Sequence, residues 1–388
     1  MMKKALCIIT AAALLAVSAA SVYAATPEFG KTQEQWDRLR DNTLEYDEID
    51  DLIHEYNPTV KNNAADLKEF KKNYGTTNAE VSQTYADLAA ELRDSIDVDD
   101  SNPMYAMNAM SAAMSEASAK QLEQQADSNL EDYETRRLSY EMAERALAQN
   151  AKSNMITVYT DKLAAENARL NVELLEAQLE IKKAQASTGT GTQVDVLKAT
   201  EELLNAKKAS IQADAAVDTA RKKLQIACGW KYADEPVIGS LPEPDFARIG
   251  SMNPDSDLQA AMDNNYTLKI NKRKLSNARY SDAKATLETT ISDNEQSVGM
   301  SLRTAYLTAV ASKDAYDYAV AADKIQQQTL VQTQKSYESG NASEFELKSQ
   351  KITSQITKLS VEQAKYAVLT ALLNYDCAVA GLAGSGSM

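Results

Sequence analysis

The sequence predicts an all-α protein of duplicated long antiparallel helical hairpins, coiled-coil in pattern and forming part of an α-barrel, with a short extended connector between the repeats. Three observations predict this. From Met104 to Thr188 the chain holds neither glycine nor proline, and an uninterrupted helix of that length would reach roughly 130 Å. The stretch ends in Ser187-Thr188-Gly189-Thr190-Gly191-Thr192, where glycine allows positive φ at a helix C-terminus and a hydroxyl residue caps the returning helix. The return carries Val196, Leu203, Ser210, Val217 and Leu224 every seven residues, with Ala199, Ala206, Ala213, Ala220 and Ala227 as companions. An alanine seam lets two helices approach closely.

A shift of 151 positions reproduces the return as Leu347, Ser354, Val361, Val368 and Tyr375, with Gln350, Thr357, Ala364, Ala371 and Ala378 beside them, and carries Gly189 onto Gly340. The hairpin is therefore an internal duplication. The outgoing stretch has two apolar flanks, one through Ile156, Leu163, Leu170, Leu174, Ala177, Ile181 and Ala184, the other through Ala165, Ala168, Val172, Leu175, Leu179 and Ala186. A helix of a globular protein ordinarily has one such face, so two flanks suit a helix with neighbours on both sides, as in a barrel wall.

In chain order, residues 1–24 join a basic start (Lys3, Lys4) to an apolar run and Val22-Tyr23-Ala24, which reads as a secretory signal peptide. An uncleaved anchor is the alternative, for which the run is short. Without those residues the chain carries 39 basic against 56 acidic residues and a net charge of −17, which argues against a nucleic-acid partner. Residues 25–43 form a polar entry segment, and helix is expected from Leu44. The first repeat spans 44–229, a connector spans 230–254 with four of the seven prolines and one short strand at Pro236-Val237-Ile238, and the second repeat spans 255–381. Residues 382–388 read as a disordered tail.

The first repeat exceeds the second by 57 residues, from Asn57 to Gly189 against Asn265 to Gly340. The surplus reads as helix from Asn78 to Leu92 and then as an acidic loop through Asp97 to Pro103. Met104, Met107, Met110 and Met114 follow at helical spacing; flexible apolar packing is their ordinary use, and copper binding by thioethers is the alternative. His54 is the only histidine and suits a helix surface. Cys228 and Cys377 end the two repeats at near-equivalent places, which a barrel would hold apart. No catalytic triad, phosphate loop or metal-ligand set stands out, so neither an enzyme nor a cofactor is expected.

The paired motifs resemble the outer-membrane efflux proteins typified by TolC. The resemblance rests on the entry motifs Tyr56-Asn57-Pro58-Thr59-Val60 and Asn265-Tyr266-Thr267-Leu268, and on the turns running from Gly189 to Leu197 and from Tyr337 to Leu347. It extends to Thr304-Ala305-Tyr306-Leu307, the repeat endings and the proline-rich connector, and covers about residues 44–381. It implies a homotrimeric helical duct whose turns meet a periplasmic adaptor protein, itself linked to an ABC or RND-type pump. It further implies export without catalysis and an outer-membrane location. Relatives insert two strands of about ten alternating residues into each repeat. Neither the surplus of the first repeat nor Glu288 to Gln296 in the second has that pattern, so the barrel strands are expected to be missing. A duct crossing only the wall of a single-membrane host is one consequence.

The resemblance makes Gly189, Thr190, Gly191, Gly340 and Asn341 the adaptor-contact turns. Asp195 and Glu346 sit six residues past their turn glycines, where relatives place acids that narrow the entrance, and a carboxylate ring would favour cations. Thr192 with Asp195 and Ser343 with Glu346 also match the capping box, and the two roles are compatible. The rival function is a non-transporting structural or regulatory coiled-coil protein of the cell envelope. Cargo is not legible in a polar-lined duct.

Overall fold

The computed structural model describes residues 30–96 and 105–384, and of residues 105–107 the backbone alone. The expected signal peptide, the acidic stretch of residues 97–103, Met104, the side chain of Met107 and the tail from residue 385 lie outside the described residues. The chain is all-α. Its helices are α1 (Gln33–Arg40), α2 (Ile49–Tyr56), α3 (Pro58–Tyr74), α4 (Asn78–Asp94), α5 (Tyr105–Ser128), α6 (Tyr133–Ser187), α7 (Gln193–Ala227), α8 (Phe246–Ile249), α9 (Pro254–Asn264), α10 (Tyr266–Asn277), α11 (Ser281–Glu338) and α12 (Glu344–Cys377). Two short strands, β1 (Thr43–Leu44) and β2 (Val237–Ile238), pair in parallel, so the connector strand has its partner in the entry segment.

Four long helices form a wall in the order α7, α6, α12, α11, each packing on the next. Helix α6 holds 55 residues and α11 holds 58, which at helical rise gives about 83 and 87 Å. The two flanks of α6 thus have separate work, one against α7 and the other against α12. Leu179 packs with Ala199 and Leu203 within the first hairpin. Near the far end, Leu52, Ile53, Ala151, Met155 and Leu224 form one core and Leu268, Val298, Leu302 and Tyr375 its counterpart.

The entry motifs close each repeat on itself in the same way. Asn57 caps α3 by accepting from Thr59 N and Val60 N, and its Nδ2 donates to Ala227 O at 2.7 Å. Asn265 caps α10 through Leu268 N, and its Nδ2 donates to Ala383 O at 2.7 Å. The chain passes each clasp at a glycine, Gly229 with φ 95° and Gly381 with φ 114°. A β-carbon there would strike Tyr56 in the first case and the Asn264 carbonyl in the second.

Three expectations need correction. The stretch from Met104 to Thr188 is not one helix: it breaks at residues 129–132, between α5 and α6. Asn129 Oδ1 accepts from Glu131 N, and Asp132 forms a capping box with Thr135, so short polar side chains divert the backbone without glycine or proline. The polar entry segment contains α1, opened by a Thr32–Gln35 capping box, and it buries Trp36 and Leu39; Leu44, expected to begin a helix, lies instead in β1. The tail begins later than residue 382, since Ala383 is buried and accepts from Asn265.

Where barrel strands would be inserted, the first repeat has the α4–α5 hairpin and the second has a turn at residues 278–280 before α11, which contains residues 288–296. Among the described residues no helix is long and apolar enough to cross a membrane. His54 lies on α2 with Nδ1 2.8 Å from Glu144 Oε1 of α6. Cys228 and Cys377 are both unbridged. Met110 and Met114 stand exposed on α5.

Candidate functional site at the paired hairpin turns

The wall ends in two turns of matched geometry. In the first, Gly189 takes φ 77°, Thr190 N and Gly191 N both donate to Gln185 O at 2.9 and 3.0 Å, and the Thr190 hydroxyl adds a third bond to that carbonyl. In the second, Gly340 also takes φ 77°, Asn341 N donates to Ser336 O at 2.7 Å and Asn341 Nδ2 donates to Ser339 Oγ. These bonds satisfy carbonyls that a helix end leaves open. A β-carbon at Gly189 or Gly340 would meet nothing within 4 Å, so only the backbone angle demands glycine there. At Gly191 it would approach Gln185 Cβ to 3.0 Å, a packing constraint instead.

Each return helix opens with a complete capping box. Asp195 N donates to Thr192 Oγ1, while Thr192 N and Oγ1 donate to Asp195 Oδ2 at 3.0 and 2.7 Å. Glu346 and Ser343 repeat the pattern, with Ser343 N donating to Glu346 Oε2 at 2.6 Å. The Thr192 hydroxyl and amide hold Asp195 below the ordinary carboxylate range, and the Ser343 amide and hydroxyl do the same for Glu346. Both acids are therefore charged at neutral pH.

The fold brings these two acids to one groove of about 1090 Å³ between the hairpin ends. Ile181, Lys182, Lys198 and Phe345 also line it, and the Lys348–Glu173 ion pair spans α12 and α6 nearby at 3.2 Å. The floor is thus partly apolar and the rim carries both signs of charge. Sequence reasoning missed Phe345, Lys182 and Lys198, although an aromatic residue just inside a capped helix was a visible signal. It also missed the exposed row Leu197, Leu204 and Ile211 on α7, which repeats every seven residues one place beyond the row of Val196, Leu203 and Ser210.

No protein-family model and no curated protein matches the chain. The fold does match solved structures over most of its length. A membrane protein of Pseudomonas aeruginosa superposes with a TM-score of 0.53 at 11% identity, covering 88% of this chain and 91% of that one. The CmeC outer membrane channel of Campylobacter jejuni gives 0.50 at 11% identity, over 92% and 89%. The outer membrane protein VceC of Vibrio cholerae gives 0.50 at 10% identity, over 87% and 96%. The chain has the fold of TolC-like outer-membrane channels.

Proposed function

We propose that this protein is the exit duct of a tripartite export system, a passive channel that receives cargo from an adaptor protein and a membrane pump of the ABC or RND type. The observation that carries the reading is the wall itself: four long helices side by side, with two turns of the same geometry at one end. A wall one helix thick encloses nothing until copies close around an axis, and three is the number that the resemblance implies. In that homotrimer the turns at Gly189, Thr190, Gly191, Gly340 and Asn341 are the adaptor contacts, and the groove beside Phe345 seats part of the partner. Asp195 and Glu346 of three copies supply the acids of the entrance. The protein works in the cell envelope.

A second reading, a non-transporting coiled-coil protein of the envelope, draws its support from the helical α4–α5 hairpin standing where barrel strands would be inserted. Light scattering on residues 25–388, alone and with a candidate adaptor, separates the two. A trimer that binds the adaptor through the turns supports the duct. A lasting monomer, or a two-chain coiled coil with no adaptor binding, would favour the second reading.

A further inference from the structure

Helices α6 and α12 run antiparallel, with Gln149 Nε2 donating to Asn374 Oδ1 at 3.1 Å and the rings of Tyr159 and Tyr366 6.0 Å apart. Arg145, one turn along α6 from Gln149, therefore stands level with Cys377, about one turn on from Asn374. Beside this seam lies a cavity of about 370 Å³, lined by both helices, by the connector at Asp245, by Arg248 of α8, and by Tyr46 and Asp50 from around the start of α2. Its size falls in the range of about 300–1,000 Å³ that small-molecule sites occupy.

The apolar wall of the cavity is Ala148 of α6 with Leu369 and Leu372 of α12, all buried. The charged lining holds three cations and four carboxylates, and all but one of these groups are answered. Lys152 Nζ donates to Asp50 Oδ2 at 2.7 Å, and Arg248 forks onto Asp376. Asp245 Oδ1 accepts from Arg248 N at 3.1 Å, and Glu243 Oε1 accepts from Lys365 Nζ at 3.1 Å. Among the described residues the Arg145 guanidinium has no ion-pair or hydrogen-bond partner. Arg145 is exposed, so it stands at the mouth of the cavity with its fork of N–H donors free. Its charge is felt inside: burial pushes the Cys377 thiol up to about 11, Asp376 and Asp50 add to that, and Lys152 and Arg145 act against it.

We infer that this cavity binds a small organic monoanion with an apolar body, of the medium-chain carboxylate class. The carboxylate takes both arms of the Arg145 fork, and the hydrocarbon part leaves water against Leu369, Leu372 and Ala148. A dianion such as phosphate fits poorly, because one cation alone is unanswered and four carboxylates surround it. A cation fits no better, since those carboxylates already accept from Lys152, Arg248 and Lys365. The occupant touches α6 and α12 at once, so it stabilises the contact between the two repeats. The site lies within one chain and is independent of the duct reading.

Isothermal titration calorimetry of the full mature chain, residues 25–388, with octanoate below its micellar concentration tests the site. Saturable binding of one octanoate per chain is expected, weakened at least about tenfold in Arg145→Gln and less in Arg145→Lys. In a Cys228→Ala background, octanoate should slow maleimide labelling of Cys377 in alkaline buffer, and should not do so once Arg145→Gln is added. Absence of saturable octanoate binding, unaltered affinity in Arg145→Gln, or labelling of Cys377 indifferent to bound octanoate would each overturn the inference. Octylammonium or inorganic phosphate binding the parent chain as tightly as octanoate would overturn it too, and that comparison needs no variant.

Discussion

Asp132, fully buried at the start of α6, accepts from Arg273 Nε of α10 at 2.6 Å. The same carboxylate caps α6 through Thr135 N at 2.8 Å and takes Asn277 Nδ2 at 3.1 Å. One side chain thus begins the outgoing helix of the first repeat and ties it to the entry helices of the second.

Replacing Asp132 by alanine removes a cap and leaves Arg273 without its partner, and should cost roughly 2–4 kcal/mol. Burial works to raise the Asp132 carboxyl's pKa, but the Thr135 amide, Asn277 and Arg273 together hold it below its ordinary value. A depressed carboxylate contributes stability that is fully present above the unfolded value of about 3.9 and lost as pH falls through the folded one. Urea melts should therefore show a loss below about pH 4 that Asp132→Asn largely lacks.

The His54–Glu144 pair titrates in the opposite sense. The hydrogen bond to Glu144 holds the imidazole pKa above its ordinary value against the effect of burial. Its contribution is complete below the unfolded value of about 6.5 and disappears as pH rises through the folded one. Thermal melts of Glu144→Gln should be flatter than those of the parent chain above about pH 6.5.

The two clasps should respond alike, since their geometry repeats. Asn57→Ala and Asn265→Ala each lose a helix cap and a bond to a distant carbonyl, together about 2 kcal/mol in a denaturation midpoint. Gly229→Ala and Gly381→Ala should be worse than either, because positive φ and a clash with neighbouring backbone or side chain act together. Equal loss for the glycine and asparagine variants would show that the close approach relaxes.

At the hairpin ends, Gly340→Ala meets strain without a clash, so it should cost about 1 kcal/mol locally, and Gly340→Asn less. Surface plasmon resonance with the adaptor should show weaker binding for Gly340→Ala, with helical content unchanged by circular dichroism. Unchanged affinity would argue that this turn only reverses the chain.

Asp195→Asn with Glu346→Gln tests the entrance. Both acids keep their charge below the ordinary carboxylate range, so the assembled duct should bind cations over anions at neutral pH, and the double variant should lose that preference in equilibrium dialysis against a small cationic and a small anionic dye. If only hydrogen-exchange protection at the starts of α7 and α12 changes, the acids are caps and nothing more.

Much of this architecture was legible because its signals are local. The turn at Gly189 follows from which residues tolerate positive φ, and the seam through Leu203 and Leu224 follows from its seven-residue spacing. The groove was harder to foresee. Phe345 and Lys182 lie in different repeats and meet only after the hairpins dock. Residues 129–132 misled because no strong breaker occurs there: the Asn129 and Asp132 side chains divert the backbone locally, and distant Asn78 and Asn277 donate to the carbonyls so released.

By itself the sequence determined the two hairpins, their turns, their caps and their duplication, since periodicity, backbone angle and capping each act within a few residues. Tertiary structure alone decided that Asp132 would be buried and met by Arg273, a residue 141 positions away. It alone also decided which flank of α7 faces water, because α6 can take a return helix on either side and the docking of α12 leaves α7 and α11 as the open edges.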